Sequence, residues 1–249
     1  MLKESVLALL ASLAMLSNAN AAATVAFQTK VKHWYEEAPL ALQRAIWKPR
    51  VAVYAVADMA ELRALNPRAA DMKGRDDVLL MGFARTRAGQ VPSLTFVEAS
   101  MSQAPDERQH RVVLHEMMHV YDVIGRTKSN DPIFLSNFKA DMADIKKYLK
   151  TASASDRERA SKYEHYMEEP AEAFAEAAAR LLLPPSKEAD RTNFEFVFPR
   201  VTKYMQLTLK KAGIITGNEQ PPQAQAPKQQ VLDQRNIEEV AADAKARIE

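Results

Sequence analysis

Apolar positions along this chain follow two rhythms, one helical and one alternating, and their order outlines a fold. Across residues 27–47, Val31, Trp34, Tyr35, Leu40, Leu42 and Ile46 recur at mixed helical spacing. Pro39 interrupts them, because it lacks a backbone donor and turns the preceding residue away from helical angles. Two helices are expected, the second over 40–47. Residues 50–56 (R-V-A-V-Y-A-V) combine β-branched and small side chains and predict a buried strand. A short helix over 58–65 follows, closed by Asn66-Pro67. Two more strands are predicted at 78–84 and 93–97, joined as a hairpin through a loop carrying Gly89 and Pro92.

Beyond residue 104 only the helical rhythm persists. Pro105, Asp106 and Glu107 suit a first turn, Gly125 and Arg126 a last one, and Val113, Met117, Val120 and Ile124 mark a buried face between them. Asp131 caps the next helix, Pro132 takes its first position, and Phe134, Phe138, Met142, Ile145 and Leu149 keep the period. Thr151 to Ser155 form a small polar break. Glu169-Pro170 opens an alanine-rich helix that runs to Leu183 and stops at Pro184-Pro185. A last core helix is expected over 194–211, with Pro199 kinking or starting it. The order predicts an α+β fold: a small sheet packed on the 105–125 helix, followed by a helical C-terminal part.

The ends read differently. Residues 1–21 carry Lys3, an apolar run over 6–16 too short to span a bilayer, and the small-x-small sequence Ala19-Asn20-Ala21. They predict a signal peptide, an exported protein (periplasmic or secreted) and no membrane anchor once the signal is removed. Residues 22–213 then form one domain, and 214–249 a flexible Gln/Pro-rich tail with a possible terminal helix. The chain has no cysteine, which excludes disulfides and a lipid-modified thiol. With 34 basic and 32 acidic residues, it offers no charge excess toward nucleic acid or an anionic membrane.

The chemistry concentrates in the 105–125 helix, which contains H-E-x-x-H at His115, Glu116 and His119. Residues four apart stand one above the other on a helix, so both imidazoles can aim at a point about 2 Å away, as zinc ligands do. Glu116 is placed to take a proton from a water at that point. The plainer alternative is a pair of hydrogen-bonded core histidines. A catalytic zinc site usually has a third protein ligand. His at 125 is excluded by Gly125, cysteine is absent, and no Glu lies between Glu116 and Glu158. The candidates are Glu172 and Glu176, four apart on the 169–183 helix. One can bind the metal while the other accepts a hydrogen bond from a ligand imidazole. The alternative for Glu176 is pairing with Arg180 one turn on.

His-Glu-Met-Met-His-Val-Tyr-Asp, followed by Glu-Ala-Phe-Ala-Glu-Ala, resembles the anthrax lethal factor-like group of zincin metallopeptidases, which includes the Pro-Pro endopeptidases. The resemblance spans about residues 51–209. It implies a zincin-like fold, Zn2+ held by His115, His119 and Glu172, Glu116 as general base, and Asp122 and Glu176 steadying the ligands from behind. In that group a tyrosine seven residues before the ligand Glu stabilises the oxyanion. Here that position is His165, with Tyr166 six before. A phenol stays a donor across neutral pH, so Tyr166 is the expected donor and His165 the alternative. Zinc-dependent hydrolysis of protein or peptide substrates is expected, the substrate extended along strand 78–84 or 93–97. The rival is a catalytically silent zinc- or peptide-binding protein on the same fold, although no catalytic residue is missing.

Overall fold

The computed structural model describes residues 23–47, 51–65, 82–85, 92–125, 127–183 and 188–215. The expected signal peptide, the 86–91 loop and the tail from residue 216 lie outside them.

Two helices open the described chain, α1 (Val25–Glu37) and α2 (Leu40–Trp47). Thr24 caps α1 by accepting the Phe27 N–H through Oγ1. Between the two helices Ala38 is extended (φ −58°, ψ 148°), as a residue before proline should be. Strand β1 (Ala52–Val56) leads to α3 (Met59–Leu65), whose first turn is capped by the Asp58 carboxylate. Strands β2 (Gly82–Arg85) and β3 (Ser93–Val97) complete a sheet of order β1-β3-β2. β1 runs parallel to β3 and β2 antiparallel to it, so the sheet is mixed and the expected hairpin neighbours do pair.

Two expectations for the strands are corrected here. β3 is bonded on both sides and cannot be the edge that receives a peptide; its run Leu94–Val97 is buried throughout, as a central strand requires. β1 is an edge rather than a buried strand, and only Val56 is fully covered.

A short helix, α4 (Glu98–Met101), intervenes before α5 (Asp106–Ile124), the H-E-x-x-H helix. A 3-10 turn at Lys128–Asn130 leads into α6 (Pro132–Leu149), capped by Asp131 as expected. The expected polar break at 151–155 ends early, because Ser153 caps α7 (Ala154–Ser161); that helix and α8 (Glu164–Glu168) otherwise take residues the sequence left unassigned. Then come α9 (Pro170–Leu182), α10 (Glu188–Val197) and α11 (Pro199–Lys211). Pro199 therefore starts a helix rather than kinking one. The free N–H groups of Arg200 and Val201 are taken by the buried Asp141 carboxylate of α6, at 3.0 and 2.9 Å.

The result is an α+β protein, mostly helical, with its small sheet laid against α5. α9 packs against the other side of the core and makes its broadest contact with α5. Ala173, Ala175, Ala177, Ala178 and Ala179 are all buried, and such short side chains let the two backbones approach. Phe174 fills the space beside them, meeting the Phe134 ring edge-on at 5.5 Å. The packed body continues through Ile214, which is 5% exposed.

Candidate metal centre

The α5–α9 contact brings the sequence's chemistry together. On α5, His115 and His119 stand one turn apart with their Nε2 atoms 3.0 Å from each other. From α9, Glu172 places Oε2 3.2 Å from His115 Nε2 and Oε1 3.4 Å from His119 Nε2. Among the described residues these three form the one group of His, Cys, Asp or Glu side chains that could hold a metal ion. The spacing fits one: in a tetrahedral shell with bonds of about 2.0–2.1 Å, neighbouring donors stand roughly 3.3–3.4 Å apart.

The electrostatics say the same. Burial alone would lower the His115 pKa, but hydrogen bonds to Glu172 and Glu176, with the charge of Glu116, raise it to about 10. Burial opposes ionisation of Glu172 as well, yet its bonds to the two histidines carry its pKa far below the usual carboxylate range. A carboxylate held ionised beside two imidazole nitrogens forms a site suited to a cation.

Glu176 stands behind His115. Its Oε2 lies 3.0 Å from His115 Nδ1, the ring nitrogen pointing away from the cluster. A proton on Nδ1 leaves the Nε2 lone pair free, which is the tautomer a metal needs. The other oxygen, Oε1, accepts from Arg180 at 2.8 Å and lies 3.3 Å from Arg111 Nε. Burial pushes the Glu176 pKa up, but His115 and the two guanidiniums bring it down to about 2. The two readings of Glu176, behind an imidazole or paired with Arg180, both hold, one oxygen each. Arg111 was not singled out from sequence. Its signal was there, one turn before His115 on the same helix face.

Glu116 is 8% exposed, within electrostatic reach of His115, His119 and Glu172. Burial raises its pKa; the two histidines and a hydrogen bond from the Ala84 backbone N–H oppose the shift. Asp122 goes elsewhere. Its two oxygens accept from the Ser129 N–H and Oγ–H, each at 2.6 Å, so it pins the turn after α5, and that turn packs on α9.

The two candidate oxyanion donors occupy different places. His165 Nε2 lies 3.2 Å from Glu172 Oε2, and the His165 side chain is 41% exposed. His119 and Glu172, at 17% and 18%, share that partial exposure, so the cluster opens to solvent on this side. The Tyr166 ring packs among Tyr163, Phe194 and His115. Burial and the nearby Glu176 charge keep its phenol protonated far above its ordinary range.

Comparison with protein-family models and with curated proteins finds no match. Among solved structures, the Pro-Pro endopeptidase PPEP-2 from Paenibacillus alvei is similar at 18% identity, covering 76% of this chain and 94% of that one with a TM-score of 0.48.

Proposed function

We propose that this chain is an exported zinc-dependent endopeptidase. The observation that carries the reading is the convergence of His115, His119 and Glu172 on one point open to solvent, with the buried carboxylate of Glu116 beside it. Zinc held there would polarise a scissile carbonyl and acidify a water. Glu116 would serve as the base that accepts a proton from the attacking water, and as the acid that returns it to the amine nitrogen as the C–N bond breaks. His165 donates a hydrogen bond to the oxyanion, because its ring nitrogen reaches the ligand cluster from the solvent side whereas Tyr166 packs behind His115. The peptide lies extended along β2, the edge strand that touches α5. The N-terminal apolar run and Ala19-Asn20-Ala21 support export, with the signal removed after Ala21.

The test is cleavage of a peptide library by the purified mature protein. Cleavage should be abolished by a chelator, restored by zinc, and absent from Glu116→Gln, which keeps its zinc. A zinc-loaded wild type that cleaves nothing would sink the peptidase reading in favour of a silent binding protein.

A further inference from the structure

The seat of Glu116 is built by the edge strand rather than by its own helix. A Cβ added to Gly82 would lie 2.8 Å from Glu116 Cγ, 3.0 Å from Val112 Cγ1 and 3.1 Å from Glu116 Oε1. Carbon atoms in contact prefer about 3.5–4.0 Å, so any side chain at 82 would collide with the arm of Glu116 near its root, where little rotation is available. Two residues on, the Ala84 N–H donates to the Glu116 carboxylate. In an antiparallel pair, N–H groups point alternately toward the partner strand and away from it. Residues 82 and 84 share one orientation along β2, so the Gly82 gap and the Ala84 amide both serve the Glu116 side chain.

We propose that Gly82 and Ala84 are positioning residues for Glu116. The missing side chain of Gly82 makes room for the carboxylate arm, and the amide of Ala84 orients its head beside the ligand cluster. The inference rests on the peptidase reading for its consequence, since a displaced base costs turnover rather than binding. It also places the base against the strand that receives the peptide, so substrate and base share one rigid support.

Two measurements test it. In Gly82→Ala, kcat for a peptide cleaved by the wild type should fall ten- to a hundredfold, the scale of a misplacement of about 1 Å. KM and zinc affinity should stay within about twofold, a split that general loosening of the fold would not give. Independently, hydrogen exchange of the Ala84 amide is compared in zinc-free wild type, Gly82→Ala and Glu116→Ala. The amide should be protected in the wild type and exchange at least tenfold faster in both variants. Equal exchange in wild type and Glu116→Ala, or a kcat within twofold of wild type for Gly82→Ala, overturns the proposal. If Gly82→Ala does not fold, the comparison of wild type with Glu116→Ala decides. If the wild type cleaves no peptide, the peptidase reading falls while the exchange result still tells whether β2 seats Glu116.

Discussion

Glu176→Gln is a change of one atom with two separable consequences. The carboxylate stands between donors: His115 Nδ1 at 3.0 Å from one oxygen, Arg180 and Arg111 at 2.8 and 3.3 Å from the other. A carboxylate accepts at both ends, whereas an amide accepts at one end and donates at the other. Gln must therefore turn its NH2 toward either the guanidiniums or His115. The guanidiniums cannot surrender a proton, so the amide oxygen goes to them and the NH2 faces the imidazole. His115 answers by moving its proton to Nε2, the atom that must carry a lone pair for the metal. Losing such a support costs about ten- to a hundredfold in metal affinity, and the enforced tautomer puts this case at the upper end. A hundredfold corresponds to about 2.8 kcal/mol.

The metal-free fold suffers too, because Arg180, 6% exposed, loses the charge of a carboxylate that it meets at 2.8 Å. Removing one partner of a buried pair costs about 3–5 kcal/mol; the amide oxygen still accepts one bond, so the low end applies. For a chain of this size about 3 kcal/mol lowers Tm by roughly 6–12 °C. Competition against a chromophoric chelator at pH 7 reads the first effect, and thermal unfolding in chelator reads the second. Zinc affinity within threefold of wild type would refute the role of Glu176 in setting the His115 tautomer. An unchanged Tm would refute the ion pair.

Glu172→Ala and His119→Ala should each lose zinc by elemental analysis, Glu172→Ala with a larger affinity loss than Glu176→Ala; the reverse order would exchange the roles of the two carboxylates. His165→Ala should lower kcat about a hundredfold with zinc retained and Tyr166→Phe much less, whereas a crippled Tyr166→Phe beside a mild His165→Ala would move the oxyanion donor to the phenol. In chelator, stability should peak near pH 5–6.5. The Glu176 pKa falls from 4.5 to about 2 on folding, so its contribution is present above 4.5 and lost as pH drops through about 2. The His115 pKa rises from 6.5 to about 10, so its contribution is complete below 6.5 and lost as pH climbs through about 10. A urea midpoint that rises between pH 7 and 10 would contradict that balance.

What the sequence showed depended on whether a feature is local. H-E-x-x-H is legible because helical period alone places His115 above His119. Glu172 and Glu176 were legible as a pair for the same reason, 57 and 61 residues from His115 though they lie. Strand order is not local: 78–84 and 93–97 read alike as edges, and only pairing made β3 central, although its unbroken burial was foreshadowed in Leu94-Thr95-Phe96-Val97. Helices α7 and α8 escaped notice because they bury little; Ala160 is the single buried residue of α7 and α8 has none. Asp122 sits three residues past His119, where a helix could turn it to the ligands, but Ser129 arrives through the following turn and takes both oxygens. Gly82 had no local signal at all, since its role comes from a strand meeting a helix 34 positions away.

The centre itself reduces to two ladders. Arg111, His115 and His119 climb α5 in steps of four, and Glu172, Glu176 and Arg180 climb α9 in the same steps. The contacts Arg111–Glu176, His115–Glu176, His115–Glu172 and His119–Glu172 descend one ladder while ascending the other, so the helices run antiparallel across the site. Reading from the buried end, two guanidiniums meet one carboxylate, that carboxylate orients an imidazole, and the imidazole shares the second carboxylate with its partner. The fixed positive charge of the arginines sits at the closed end, where Glu176 offsets it. At the open end the carboxylate of Glu172 faces two imidazole nitrogens, and the partly exposed side of this group is where a cation could enter from solvent. Reversing α9 by one turn would put Arg180 against His115 and leave no acceptor behind the ring. Ala173 and Ala175, buried between the two carboxylates, are short enough to let the helices approach to the 3.0–3.4 Å separations that the imidazoles and carboxylates show across them.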